Sequence, residues 1–366
     1  MTFDELYRKS ILILGFGTEG QATYEFLRSK WPSKELTIAD QRALHEFPED
    51  LIQKLHSDGA ATLHFGPRYL DSQAEVIIKT PGIPASKLNR AGSTLTSHSQ
   101  IFLSNYPREK IIGVTGTKGK STTASLIYQM LRRGGLPAEL VGNIGHPPLA
   151  RLATAAPGSY FVHEFSSHQL AEVESSPHIA VLLNIVPEHL DYYSSFEEYV
   201  SAKENITRFQ DSEDFLIFNP SYPILNAIAG RTKATLKPFH TKDEDVREFG
   251  TLPLAGKFNL ENVMAAVTTA SLVGVNRDAI RAAIKEFRPL PHRLEPVGAF
   301  NGVRFYDDSI ATVPDATLGA LEALGSDVQT LILGGHDFHS ITEVVSGVLE
   351  RPTPFCSSIL IKLASL

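Results

Sequence analysis

Ile111-Ile112-Gly113-Val114-Thr115-Gly116-Thr117-Lys118-Gly119-Lys120-Ser121-Thr122 is the stretch on which the reading of the fold turns. Ile111 to Val114 is a short apolar run, a glycine-rich turn follows, and helix-forming residues continue from about Thr122 to Leu131. A strand that feeds such a turn into a helix N-terminus offers backbone N–H groups to the phosphates of a nucleoside triphosphate. Gly116, Thr117, Lys118, Gly119, Lys120, Ser121 and Thr122 are the candidate phosphate-binding residues. Lys120 is placed to reach the outer phosphates, and the Ser121 hydroxyl to ligate magnesium. The usual pattern has glycine five positions before Gly119, and Val114 stands there instead.

Upstream, the apolar run Ile11 to Leu14 enters Gly15-Phe16-Gly17-Thr18-Glu19-Gly20 and then helix formers from Ala22 to Leu27. Asp40 closes a second apolar stretch twenty residues after Gly20. Glycines allow close approach of backbone to a diphosphate, and an acid at the next strand end can bind a ribose hydroxyl. A turn serving only helix–strand packing is the competing reading. Val76 to Ile78 runs into Thr80-Pro81-Gly82, and further strand-like runs fall at Tyr160 to Glu164, Ala180 to Asn184, Phe215 to Phe218, Gly302 to Tyr306 and Thr330 to Leu333. Helical patterns at Phe196 to Phe209 and Asn259 to Val273 lie between them. Strands alternating with helices predict an α/β protein with parallel sheets. The pattern restarts after Asn105-Tyr106-Pro107 and again after Pro289, Pro291 and Pro296, so three domains are expected, at 1–108, 109–296 and 297–366.

Composition narrows the function. With 366 residues and 42% apolar content, two or three packed cores are affordable. A formal charge of -7 leaves no general cationic surface for a nucleic-acid backbone or an anionic bilayer. The single cysteine, Cys356, excludes an internal disulfide or a multi-cysteine zinc site and suits a reducing compartment. No apolar run is long enough to span a membrane, and the start lacks the order of a secretion signal. A cytoplasmic monomer without nucleic-acid partners or membrane insertion is expected. One loop for a diphosphate and another for a triphosphate suit an enzyme that holds a nucleotide-linked substrate and activates it with ATP.

Further motifs follow the loop: Gly142-Asn143-Ile144-Gly145; Glu164-Phe165-Ser166-Ser167-His168-Gln169-Leu170; Asn184 to Asp191, containing Pro187-Glu188-His189; Tyr199 to Lys203; Gly256 to Asn262; Leu290-Pro291-His292-Arg293; and Asp307-Asp308-Ser309. In that order they resemble the Mur ligases, over roughly residues 8 to 335. Within that family they look most like the branch that joins glutamate to UDP-N-acetylmuramoyl-L-alanine. The resemblance implies a Rossmann-like N-terminal domain, a central P-loop ATPase-like α/β domain and a Rossmann-like C-terminal domain. It implies ATP and magnesium as cofactors, UDP-N-acetylmuramoyl-L-alanine and glutamate as substrates, and an acyl-phosphate intermediate in peptidoglycan synthesis.

The resemblance also assigns roles. Lys120, Glu164, His189, Lys203 and Arg293 are the catalytic set. Ser121 and Glu164 would hold one magnesium, and His189 with a carbamylated Lys203 a second metal ion. From the residues alone, His189 reads as a polar residue at a strand end and Lys203 as a solvated helix lysine. Arg293 would reach the outer phosphate, Asn259 and Asn262, three apart on one helix face, the adenine, and Asp308 the ATP ribose. Gly17, Thr18, Asp40, Arg42, Thr80, Pro81 and Gly82 match positions for the uridine diphosphate. Asn143, Ser167 and Gln169 match positions for the muramoyl-alanine moiety.

Three departures qualify the match. Ile310 stands where the glutamate-adding branch usually has lysine, a feature shared with an L-glutamate-adding ligase. His336-Asp337-Phe338-His339 lacks the lysine expected after Gly334-Gly335, and residues 297–366 are fewer than the family's third domain, so a partial C-terminal domain is expected. An L-glutamate-adding Mur ligase, a folylpolyglutamate synthase-like amide ligase and a catalytically impaired nucleotide-binding remnant are the alternatives.

Overall fold

The computed structural model describes residues 1–88, 92–189, 192–241, 257–311, 314–325, 328–335 and 358–363. Residues 190, 191, 256 and 336–339 of the motifs above, and the tail from 351 apart from 358–363, lie outside them. Contacts group the chain into two compact units, Met1–Gly116 with Gly135–Pro238, and Thr117–Gly134 with Phe239–Leu366.

The first unit holds two all-parallel sheets, as the alternation of elements predicted. In one, β1 (Ile11–Leu14), β2 (Leu36–Asp40), β3 (Ala61–Phe65), β4 (Val76–Lys79) and β5 (Thr94–Ser97) lie in the order β3-β2-β1-β4-β5. β1 and β4 are buried along their whole length, as expected of strands covered on both faces; β1 is apolar throughout and β4 is apolar up to Lys79. Helices α1 (Phe3–Tyr7), α2 (Thr18–Lys30), α3 (Glu49–Ser57) and α4 (His98–Asn105) accompany this sheet. Thr2 and Glu5 form a capping box at α1, and Ser97 caps α4 by accepting from the Gln100 N–H. Strand order reverses beside β1, whose neighbours are β2 and β4, and this opens a crevice at the carboxyl ends of all three.

The second sheet orders β6 (Ile111–Thr115), β7 (Ala138–Gly142), β8 (Tyr160–Glu164), β9 (Ile179–Leu182), β10 (Phe215–Phe218) and β11 (Thr235–Pro238) as β11-β10-β9-β6-β8-β7. β9 ends at Leu182, two residues before the predicted Asn184, because its ladder with β6 stops at the Thr115–Leu182 pair. α6 (Pro148–Leu152) packs on α2 and α4, and Phe102 and Tyr106 meet Phe161 at ring separations of 4.9 and 4.5 Å. One apolar core therefore runs from the first sheet into the second.

In the second unit, α5 (Lys120–Arg133) packs against the helices Lys257–Leu272 and Arg277–Glu286, and Arg133 pairs with Glu286. β12 (Glu295–Phe300) and β13 (Val303–Asp307) form an antiparallel hairpin with an irregularity at Pro296/Gly298. A helix, Pro314–Leu324, precedes β14 (Thr330–Gly335), which pairs in parallel with β15 (Ser358–Leu363). No helix among the described residues is long and apolar enough to cross a membrane.

Candidate nucleotide and substrate sites

The crevice beside β1 collects the residues matched to the uridine diphosphate. Gly15 (φ +90°) leaves β1 with its N–H bonded to the Ala39 carbonyl at 2.8 Å, and a Cβ there would lie 2.0 Å from Thr80 Oγ1. Gly20 is equally enclosed, a Cβ falling 2.0 Å from the Gly15 oxygen, whereas Gly17 and Gly82 face open space. The sequence offered two readings of this turn, and packing accounts for only some of its glycines. Gly15 and Gly20 are required by packing; at Gly17 and Gly82 packing requires nothing. Gly17 is also the N-cap of α2 and supplies no side chain to its N-terminus, leaving that positive helix end available to an anion. Gly15→Ala should therefore lower stability by about 1–3 kcal/mol. Gly17→Ala should leave the melting temperature unchanged and weaken only UDP-substrate binding, which paired calorimetric and thermal measurements would check.

Asp40, at the end of β2, has a structural task in the same turn. Its Oδ2 accepts from the Phe16 N–H at 2.5 Å, and Oδ1 accepts from the Arg42 N–H at 2.9 Å and Nε at 3.1 Å. Burial alone would raise its pKa, but the hydrogen bonds from Arg42 and Phe16 prevail and hold it below the ordinary value. Arg42 also donates to the Phe16 carbonyl and lies 4.0 Å over the Phe47 ring. A ribose hydroxyl would meet only the lone pairs these contacts leave.

At the carboxyl edge of the second sheet, Glu164 ends β8 fully buried. Its Oε1 accepts from Asn143 Nδ2 at 3.3 Å, and its Oε2 has no partner among the described residues. A buried carboxylate oxygen without a donor is costly unless something cationic completes it, so this residue fits a magnesium ligand. Lys203, in α8 (Phe196–Arg208), is 1% exposed, against the sequence-only reading of a solvated lysine. Its Nζ donates to the Gly116 carbonyl at 2.8 Å and sits 4.7 Å from the Tyr199 ring centroid. Lys203 lies four residues after Tyr199 and three before Ile206, on the buried face of α8, a helical spacing that could have announced its burial. His189 is 47% exposed, holds φ +57°, and packs edge-on against His168 at 5.0 Å. Ser167 and Gln169 are buried in the short helix α7 (Ser167–Leu170). The Gln169 amide is oriented at both ends: Oε1 accepts from the Ser166 N–H at 2.8 Å, and Nε2 donates to Glu19 at 2.5 Å.

In the second unit the phosphate loop opens α5 at Gly119 (φ +85°), with no side-chain cap. A Cβ on Gly119 would meet Asn262 Oδ1 at 2.0 Å, so the helix Lys257–Leu272 lies directly on the loop. Asn262 Nδ2 donates to Asn259 Oδ1 at 3.3 Å, which brings the two predicted asparagines together. Lys120 Nζ donates to the Thr117 carbonyl at 2.8 Å, and an Arg293 guanidinium nitrogen donates to Ser121 Oγ at 3.0 Å. Asp308 accepts from the Leu294 N–H at 2.9 Å; burial pushes its carboxyl up, with Arg293 and Lys118 opposing. His98, His163 and Lys79 went unread in the sequence, and His292 and Asp307 stood in quoted motifs without a role of their own. Each owes its state to long-range burial or pairing that no local pattern encodes.

A glycine-rich loop between a parallel strand and a helix, met by an arginine and two asparagines, defines a P-loop-type nucleotide-binding protein. A family model described as the Mur ligase middle domain matches residues 114–249. The chain is 33% identical over 360 residues to a UDP-N-acetylmuramoylalanine–D-glutamate ligase of Streptococcus suis, spanning 91% of this chain and 79% of the relative. It is 34% identical over 366 residues to one of Acidobacterium capsulatum, spanning 92% and 78%. Among solved structures, MurF from Acinetobacter baumannii superposes with a TM-score of 0.61 at 16% identity, over 95% of this chain and 84% of that one. MurC from Thermotoga maritima gives 0.58 at 16% identity, over 98% and 86%. The chain belongs to the Mur ligases, in their UDP-N-acetylmuramoylalanine–D-glutamate ligase family.

Proposed function

We propose that this chain joins D-glutamate to UDP-N-acetylmuramoyl-L-alanine at the expense of ATP, a step of peptidoglycan synthesis. Identity of 33–34% to D-glutamate ligases over more than nine-tenths of the chain carries the reading. The substrate carboxylate attacks the γ-phosphorus and ADP leaves; the glutamate amine then attacks the acyl carbon, phosphate leaves, and the amine gives up a proton. Such phosphoryl transfer depends on positioning and charge more than on covalent help from the protein. Magnesium, when bound, supplies neutralisation of the triphosphate charge.

The residues are assigned parts in this reaction. The crevice beside β1, with Gly17, Thr18, Arg42 and the Thr80-Pro81-Gly82 turn, receives the uridine diphosphate, while Asp40 keeps that turn in shape. Asn143 orients Glu164 for a metal ion; Ser121, His189 and a carbamylated Lys203 are the other proposed metal ligands, and Ser167 and Gln169 border the muramoyl-alanine. The backbone of Gly116 to Thr122, with Lys120 and Arg293, holds the phosphates; Asn259, Asn262 and Asp308 are assigned to the nucleoside. The test is phosphate release from ATP with UDP-N-acetylmuramoyl-L-alanine and magnesium. Release is expected with D-glutamate and not with L-glutamate. Release with the L isomer alone would reverse the stereochemical assignment and give Ile310 a meaning; binding of both nucleotides without release would favour a non-catalytic remnant.

A further inference from the structure

Arg293 reaches Ser121 Oγ from a turn that its own backbone does not favour. The residues on either side, His292 (φ +62°) and Leu294 (φ +48°), are both left-handed, a conformation that residues bearing a Cβ keep only when their surroundings impose it. Two consecutive acids impose it here. His292 Nδ1 bonds Asp307 Oδ2 at 2.6 Å, and the Leu294 N–H donates to Asp308 Oδ1 at 2.9 Å, so Asp307 grips the residue before the arginine and Asp308 the residue after it. Two more bonds complete the turn: the His292 N–H donates to Glu295 Oε2 at 2.8 Å and the Arg293 N–H to the Leu290 carbonyl at 3.1 Å. Asp307 is itself anchored, its Oδ1 accepting from the Ser309 N–H at 2.8 Å.

We propose that the His292–Asp307 pair is a positioning device that holds Arg293 on the phosphate loop. This rests on the reading of Arg293 as a phosphate-facing cation. Asp307 ends β13, so the hairpin Glu295–Asp307 transmits its rigidity to the arginine through one imidazole. Glu295, His292 and Asp307 offer ligand atoms within 4.8 Å of one another, but the His292 N–H and Nδ1 already occupy both carboxylates, which makes them a clamp. The hydrogen bond to Asp307 raises the His292 pKa, and the bond from His292 holds Asp307 down to about 2. The side chains are 60% and 30% exposed, and truncating either one opens no cavity in a core.

The experiment uses the full chain and compares Arg293→Ala, His292→Ala, Asp307→Asn, Asp307→Ala and the His292→Ala/Arg293→Ala double variant. Arg293→Ala and His292→Ala should each raise KM for ATP about tenfold or more, with KM for the UDP substrate moving less than about twofold. The double variant should be no worse than Arg293→Ala, because the histidine acts only through the arginine. Asp307→Asn keeps an acceptor and should retain most of the ATP affinity that Asp307→Ala loses, and the His292 titration followed by NMR should fall in both. Arg293→Ala weakening ATP while His292→Ala does not, or multiplying effects in the double variant, would overturn the clamp. No effect from Arg293→Ala would instead remove the reading of the arginine on which the clamp depends.

Discussion

Lys120→Ala should abolish ATP-dependent phosphate release, a loss of at least about a thousandfold or roughly 4 kcal/mol of transition-state stabilisation. The ammonium stands at the first turn of α5, where uncapped N–H groups and the helix dipole already favour phosphate, and its bond to the Thr117 carbonyl holds it over the loop. It is a discrete positive charge at the loop, beside the backbone donors of Gly116 to Thr122, and alanine leaves those donors intact. Folding should therefore survive, and UDP-substrate binding in the β1 crevice should be unchanged. Titration calorimetry with ATP and with the UDP substrate separates the two. Undiminished ATP affinity in the variant would remove the phosphate-loop assignment.

Stability should fall as the pH drops below about 6.5, in part through His98. The ring is buried, and burial depresses its pKa to about 3. Its hydrogen bonds fix the neutral form: the Leu149 N–H donates to Nε2 at 3.2 Å, and Thr23 Oγ1, which donates to the Glu19 carbonyl, is left to accept from Nδ1–H at 2.7 Å. A second proton on Nε2 would break the Leu149 bond and bury an unpaired charge. The unfolded chain takes that proton near 6.5 and the folded one only near 3, so the contribution is complete above 6.5 and is lost as the pH falls between those values. For His98 alone the loss reaches roughly 4–5 kcal/mol. His163, also pushed down by burial, acts in the same direction. Urea midpoints measured from pH 7.5 to 4.5 should decline steeply in the parent and less so in His98→Asn. Equal slopes in the two proteins would show that another group governs acid unfolding.

The buried strands were legible because parallel strands covered on both faces leave apolar runs such as Ile11–Leu14 and Val76 to Ile78. Edge strands were not. Ala61–Phe65 and Thr235–Pro238 are partly exposed, and their mixed composition resembles a loop. The strand, turn and helix around Gly116 to Ser121 could be read from spacing alone, since the glycines and the helix start fall within a few residues. Glu164, Lys203 and His189 carried no local sign of the metal-binding role proposed for them; ordered motifs supplied that expectation, and burial shows that Lys203 is no ordinary surface lysine. Pairings between distant residues, such as Arg293 with Ser121 or Asn262 with Gly119, belong to the fold and leave no trace in either partner's neighbourhood.

The contacts joining the two parallel sheets of the first unit bear on module exchange. Lys79, 1% exposed, pairs with Glu172 at 2.9 Å; Glu19 bonds Gln169; and the Gln100 amide bonds Ser175 and receives the Glu174 N–H. A chimera that grafts residues 1–107 of a relative onto this chain would strand a buried ammonium or carboxylate wherever the donor lacks the matching partner, and a lone charge so buried costs several kcal/mol. The workable graft is therefore a set of positions, 19, 79 and 100 exchanged together with 169, 172 and 175, and swapping UDP-substrate preference between Mur ligases becomes a problem of transplanting a seam.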